Sequence, residues 1–147
     1  MKPITYTLQF RGHATHLDEG LRKEASAPTC ALMTSLTPDG VEGHYVWAPG
    51  DDEAFFASML ALTDGDLFEE EGTIVFSRGN TVRIRGRGQL AASPDPHLLQ
   101  GAVIWDVSSG EGQFEGASGR IASNFFLSDT GDLTDNQLGV IFINGRH

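Results

Sequence analysis

Turn chemistry recurs along this chain roughly every dozen residues, and that spacing suits short strands better than helices. The turns are Pro38-Asp39-Gly40, Pro49-Gly50-Asp51-Asp52, Asp64-Gly65-Asp66, Arg78-Gly79-Asn80, Ser93-Pro94-Asp95-Pro96, Ser108-Ser109-Gly110 and Asp129-Thr130-Gly131-Asp132. Each joins a residue that tolerates positive φ, or fixes φ, to short side chains that cap a turn. Between them lie runs that alternate apolar and polar residues or are rich in β-branched and aromatic ones. These runs are 4–16, 29–37, 41–48, 54–63, 67–77, 81–91, 101–107, 112–116, 120–128 and 138–144. Eight to ten antiparallel strands at hairpin spacing predict an all-β barrel or sandwich, in one domain spanning residues 1–147.

Helix is hard to place. Residues 18–27 and 95–100 are the two candidate helical turns. The run FFASMLAL within 54–61 would suit a buried helix, but its length and its flanking turns favour a strand. The chain carries 10 Lys+Arg against 20 Asp+Glu, a net charge of −10. That balance argues against nucleic acid, whose recognition needs clustered positive charge, and against a lipid-surface helix. No apolar run approaches the ~20 residues that cross a bilayer as a helix. The start, MKPITYTLQF, lacks a continuous signal-peptide core, so a cytoplasmic location is expected. A single cysteine, Cys30, rules out an intrachain disulfide.

The hairpin over 67–91 can be read in register. Phe68, Gly72, Ile74 and Phe76 share a face on its first arm; Val82, Ile84, Gly86, Gly88 and Leu90 share one on the second. A three-residue loop at 78–80 pairs Phe76 with Val82, Ile74 with Ile84 and Gly72 with Gly86. Arg83, Arg85 and Arg87 then form an outer stripe, with Glu71 facing Arg87 and Thr73 facing Arg85. Glu70 falls on the apolar face, opposite Gly88. A carboxylate there must be hydrogen-bonded, paired or neutral, unless the strand end opens into a wet barrel mouth.

The segment Gly110-Glu111-Gly112-Gln113-Phe114-Glu115-Gly116-Ala117-Ser118-Gly119 is the most distinctive. Its G-x-G-x-F-x-G-A-x-G pattern resembles a turn–strand–turn of the allene oxide cyclase-like and dirigent-like small barrels, with Phe114 as the inward anchor. The resemblance is centred on residues 110–143. It implies a calycin-like antiparallel barrel, an apolar interior, and assembly as a homodimer or trimer. It carries over no catalytic residues, because Cys30 and the polar residues do not match the plant cyclase pattern. A dinucleotide fingerprint is excluded by spacing, and by the strand-like run that follows.

Candidate site residues follow from face parity. Tyr6, Tyr45, Trp47, Trp105 and Phe126 are candidates to line an apolar pocket, with polar tips to orient a ligand. Glu70 is the candidate catalytic carboxylate. Of Ser123 and Asn124, adjacent on one strand, one must point inward; Asn124 has both donor and acceptor and is the candidate amide. His13 and His16 point to opposite faces, His44 lies beside Glu42, His97 sits in a turn and His147 is terminal, so no metal site is expected. The acidic turns at 51–53 and 129–135 do not match a calcium loop, and no G-x-S-x-G elbow is present. Two functions remain. One is a cofactor-independent cyclase or isomerase that holds a hydrophobic substrate in the barrel. The other is a non-catalytic, lipocalin-like carrier of a hydrophobic ligand. A filled barrel that acts as an oligomer through its outer surface is the third reading.

Overall fold

The structure is a computed structural model that describes residues 1–48 and 50–144. Pro49 of the expected 49–52 turn and the terminal His147 lie outside them. Ten strands form: β1 (Lys2–Leu17), β2 (Gly20–Pro28), β3 (Cys30–Thr37), β4 (Gly40–Trp47), β5 (Glu53–Asp64), β6 (Leu67–Ser77), β7 (Asn80–Ala92), β8 (Leu98–Glu111), β9 (Ser118–Ser128) and β10 (Asp132–Ile143). Eight close into an antiparallel barrel in the order β1-β10-β9-β8-β7-β6-β5-β2, and β3 with β4 makes a separate ribbon. Because β2 pairs directly with β5, the ribbon between them in sequence leaves the barrel wall. The expected all-β antiparallel barrel is therefore what the chain forms. Among the described residues no helix is long and apolar enough to cross a membrane.

Period-two alternation builds the interior. On β5, Ala54, Phe56, Ser58 and Leu60 point inward while Phe55 and Met59 point out, which settles the helix–strand ambiguity in favour of strand. Trp105, Phe10, Phe56, Phe68 and Phe125 are the largest apolar side chains enclosed. Phe114 closes one end, its ring 5.1 Å from that of Phe76, which in turn meets Tyr6 edge-on at 4.9 Å. The segment expected as a short strand over 112–116 is instead a 3-10 turn at Gly112–Phe114. Gly112 and Gly116 take positive φ, +64° and +73°, which bends the chain back and still drives Phe114 inward.

Three further expectations are corrected. Residues 18–27 are not helical: Leu21, Lys23, Ala25 and Ala27 alternate inward along β2. The inward lysine had masked the strand period. The last strand begins at Asp132 rather than 138, because Asp135 and Gln137 occupy inward positions that look solvent-facing in sequence. In the 95–100 segment, Ser93 and Asp95 hold a turn through Ser93 Oγ and the Asp95 carboxylate, and β8 starts at Leu98.

The β6–β7 register also differs from expectation, by two residues. Ile74 faces Val82, Gly72 faces Ile84, Glu70 faces Gly86 and Phe68 faces Gly88. The turn is tighter than a three-residue loop: Ser77 pairs with Asn80 around Arg78 and Gly79, and an irregularity between Val75 and Ser77 absorbs the slip. Gly79 supplies the positive φ, +75°. Parity is kept, so each face is as expected. The outer stripe pairs Glu69 with Arg87, Glu71 with Arg85 and Thr73 with Arg83. These are exposed pairs, contributing roughly 0–1 kcal/mol each.

Aromatic rings occupy the volume left by inward glycines. The Phe125 ring lies over Gly101, so a Cβ there would intrude on the ring. Gly101→Ala is expected to destabilise by about 1–3 kcal/mol, as overpacked cores do. Gly43→Ala, on the exposed ribbon with nothing within 4 Å, is expected to change stability by no more than about 0.5 kcal/mol. Urea midpoints of the two variants against the parent check this, and equal midpoints would contradict the packing described.

Candidate functional site in the barrel interior

Six polar side chains are buried in this barrel: Lys23, Ser58, Glu70, Ser123, Asp135 and Gln137. They come from five strands, each at an inward position of its own alternation. Glu70 is fully enclosed rather than wet, which excludes the open-mouth reading. Its Oε2 lies 3.0 Å from Lys23 Nζ and accepts from Ser58 Oγ at 2.6 Å. Its Oε1 accepts from Trp105 Nε1 at 3.2 Å. The last bond crosses β7, and it can do so because the residue between them in the barrel wall is Gly86.

Asp135 anchors the other half of the cluster. It accepts from Ser123 Oγ on one oxygen and from Gln137 Nε2, at 3.0 Å, on the other. Gln137 Oε1 accepts from Tyr6 Oη at 3.0 Å. Burial raises the Asp135 carboxyl to about 6; Lys23 and the Ser123 and Gln137 donors pull the other way, and the Glu70 charge adds to the rise. Burial, then the Asp135 charge, pushes the Tyr6 hydroxyl well above its ordinary value, so it stays protonated and donates to Gln137.

Lys23 pairs directly with Glu70, and its charge also acts on Asp135. Its ammonium forms a close ion pair with Glu70, yet none of its N–H groups aligns on an acceptor among the described residues. It faces the Phe125 ring instead, 3.4 Å from the centroid. A buried ammonium with unspent donors, flanked by a carboxylate of raised pKa, can polarise an oxygen and exchange a proton beside it.

The sequence-level candidates divide between the two sides of the wall. Glu70 and Trp105 meet in the interior, and the partly buried Tyr6 reaches the cluster through Gln137. Asn124 does not: the inward set on β9 is Ile121, Ser123, Phe125 and Leu127, so alternation turns Asn124 outward. It sits beside Asn136 in the β9–β10 register, and the inward polar groups are Ser123 and Gln137. Phe126 is on the outer face for the same reason. Tyr45 and Trp47 belong to the β3–β4 ribbon, where they pack edge-on at 5.1 Å and the Arg11 guanidinium covers both rings at 5.3 and 5.6 Å. Tyr45 Oη donates to the Gln9 carbonyl at 3.3 Å, and burial followed by Cys30 raises its pKa. Lys23, Asp135 and Gln137 were missed by sequence reasoning. Their only signal was a polar residue every second position through stretches that otherwise lacked a pattern.

Two grooves, of about 680 and 720 Å³, open on the outside of the wall rather than inside it. One lies over β2, β5 and β6 around Phe55, Met59 and Val75. The other lies over β7–β10 around Ile104 and Leu138. Among the described residues no three His, Cys, Asp or Glu side chains converge as a metal site would require.

Neither a family model nor a curated protein matches the sequence. Among solved structures the chain is similar to the pterocarpan synthase dirigent protein, with 16% identity and a TM-score of 0.53, over 100% of this chain and 90% of that one. At that identity the likeness speaks for the barrel fold.

The ionic cluster makes two predictions. Lys23→Met strands Glu70 without a counter-charge and is expected to lose about 3–5 kcal/mol, most of it regained in Lys23→Met/Glu70→Gln. A double-mutant cycle by urea denaturation checks this; additive losses would mean the pair is uncoupled. The second concerns Asp135. Its pKa is raised in the folded state, from 3.8 to about 6, so folding binds a proton between those values and stability contributed by this group falls as pH rises through them. Asp135→Asn removes that slope. The variant should gain on the parent by up to about 3 kcal/mol between pH 4 and 7, read from urea midpoints at each pH.

Proposed function

We propose that this chain is a cofactor-independent isomerase or cyclase for a small apolar molecule bearing one carbonyl or ether oxygen. The observation that carries the reading is the Lys23 ammonium at the barrel centre, with unaligned donors and two carboxylates beside it. In this reading Lys23 donates to the substrate oxygen and lowers the barrier to charge developing there. Asp135 takes a proton from the carbon next to a carbonyl, forming an enolate, and returns it to another carbon of that enolate. For an epoxide the C–H electrons form C=C as the C–O bond breaks, and the proton passes to the released oxygen. In either case substrate and product are isomers and the carboxylate is regenerated. Glu70, fixed by Ser58 and Trp105, holds Lys23 in place; the aromatic walls keep water away and select one conformer. The barrel likeness to a dirigent protein that is a pterocarpan synthase supports a hydrophobic substrate.

The interior is filled in the structure, so substrate must displace side chains. Leu90 and Leu99, partly buried against the core, flank Gly101 and Phe125 at the end opposite Phe114 and are the proposed way in.

Trp105 reports the test. The chain has two tryptophans, so Trp47→Phe leaves Trp105 as the sole indole emitter. Apolar epoxides and polyene carbonyl compounds are titrated against that variant, and turnover is followed by chromatography. A saturable change in Trp105 emission is expected, with turnover rising through pH 6 and lost in Asp135→Asn while binding persists. Binding without turnover across the panel would favour the carrier reading. Neither binding nor turnover would sink both.

A further inference from the structure

The β3–β4 ribbon is built to be covered by something. One of its faces carries Cys30, Leu32, Leu36, Val41, Tyr45 and Trp47, fixed by the pairing of Leu32 with Tyr45 and of Leu36 with Val41. At the root this face rests on the barrel: Tyr45 Oη bonds the Gln9 carbonyl, Arg11 covers the rings, and Leu32 joins the wall of the 720 Å³ groove over β7–β10. Towards the tip the same face has nothing under it. Leu36 is 83% exposed and Val41 68%, although they are a directly facing apolar pair. An isolated two-stranded ribbon is marginal in water, and exposing its apolar face makes it more so.

Beside it lies a second uncovered apolar surface. The groove floor is Leu67, Ile104, Ala122 and Leu138, with three of these large side chains close to half exposed. Its one charged lining residue among those described is Arg87, whose side chain is largely in solvent despite a 3.5 Å contact to Glu69. The ribbon carries no Lys or Arg; its charges are Asp39 and Glu42, with His44 3.5 Å from Glu42. Apolar tip and apolar floor thus match, and the acidic ribbon complements the one cation of the described rim, Arg87. Contiguous apolar surface of this kind on a soluble domain marks an interaction site.

We propose that the overhanging tip of the β3–β4 ribbon docks into the β7–β10 groove of a second copy of this chain. Both halves of the interface are present on every molecule, and Leu32, which belongs to both, makes them continuous. Arg87 meets the Asp39–Glu42 side of the incoming tip. The occupant is a second copy rather than a foreign protein because the chain itself supplies the complementary shape and charge. It is a copy rather than a small apolar molecule because the groove lies on an open sheet face and encloses little.

Sedimentation velocity of the full chain over a micromolar concentration series tests this. The parent is expected to self-associate. Leu36→Asp, at an exposed tip position, and Ile104→Asp, on the exposed groove floor, are each expected to weaken association at least tenfold with unchanged far-ultraviolet circular dichroism. Mixing the two variants should restore association in part, since one brings an intact groove and the other an intact tip. Arg87→Glu should weaken association and be partly rescued by Asp39→Lys/Glu42→Lys. A parent that stays monomeric throughout, or an assembly indifferent to Leu36→Asp, overturns the proposal. So does failure of the mixture to associate when each variant alone is folded.

Discussion

A lysine ammonium enclosed in a β-barrel with two carboxylates is the constraint around which this molecule is arranged. Desolvating each charge opposes folding by several kcal/mol, and mutual attraction offsets that only when geometry is close and remaining lone pairs are satisfied. Glu70 meets the condition, with Lys23, Ser58 and Trp105 around its two oxygens. Asp135 has its own donors, Ser123 and Gln137, but must share the one cation. Burial is the main reason the second carboxyl is raised to about 6; Lys23, Ser123 and Gln137 pull the other way, and the Glu70 charge adds a smaller rise.

The cluster also fixes how the strands slide past one another. Glu70 reaches Trp105 because Glu70 faces Gly86 and Gly86 faces Trp105, so no side chain intervenes. In the register with a three-residue turn at 78–80, Glu70 would face Gly88, whose neighbour on β8 is Val103. The indole would be one rung away and Glu70 would lose a donor. Both registers put the same residues inside, so hydrophobic burial alone hardly distinguishes them. The buried hydrogen bonds and the tight turn at Gly79 do.

The same cluster governs how much of the molecule could be read from its sequence. Strands whose inward residues are apolar, such as β6 and β7, announced themselves by alternation, while β5 was assigned as a strand from its length and its flanking turns. Two segments did not: β2, whose inward positions include Lys23, and the first half of β10, whose inward positions include Asp135 and Gln137. Sequence patterning assumes that inward means apolar. It therefore fails where the barrel places its polar interior, and the groups with most chemical potential lay in the stretches that resembled helix or turn. Glu70 escaped this because its flanking residues, Phe68, Gly72 and Ile74, keep the period visible. Asn124 was chosen over Ser123 for its richer hydrogen bonding, but parity along β9, set by Ile121 and Phe125, decides which one points in.

The filled interior and a catalytic use of it meet at Phe125. Its ring is held between the Lys23 ammonium on one side and Gly101 on the other, with Phe68 6.2 Å away. Phe68 in turn lies against Gly88. The two rings thus occupy space that any larger residue at 88 or 101 would have claimed permanently. In the proposed function, swinging Phe125 aside would uncover the ammonium face that the ring covers, and would leave a wall of backbone against which a flat, apolar molecule can lie. The ring supplies a cation–π contact to an ammonium that has no aligned hydrogen-bond acceptor. A ligand oxygen could supply that acceptor directly, so exchange of ring for ligand need not leave the cation bare at either end point. The glycines at 88 and 101 thus leave the room that the Phe68 and Phe125 rings occupy, the room a ligand would have to take in the proposed function.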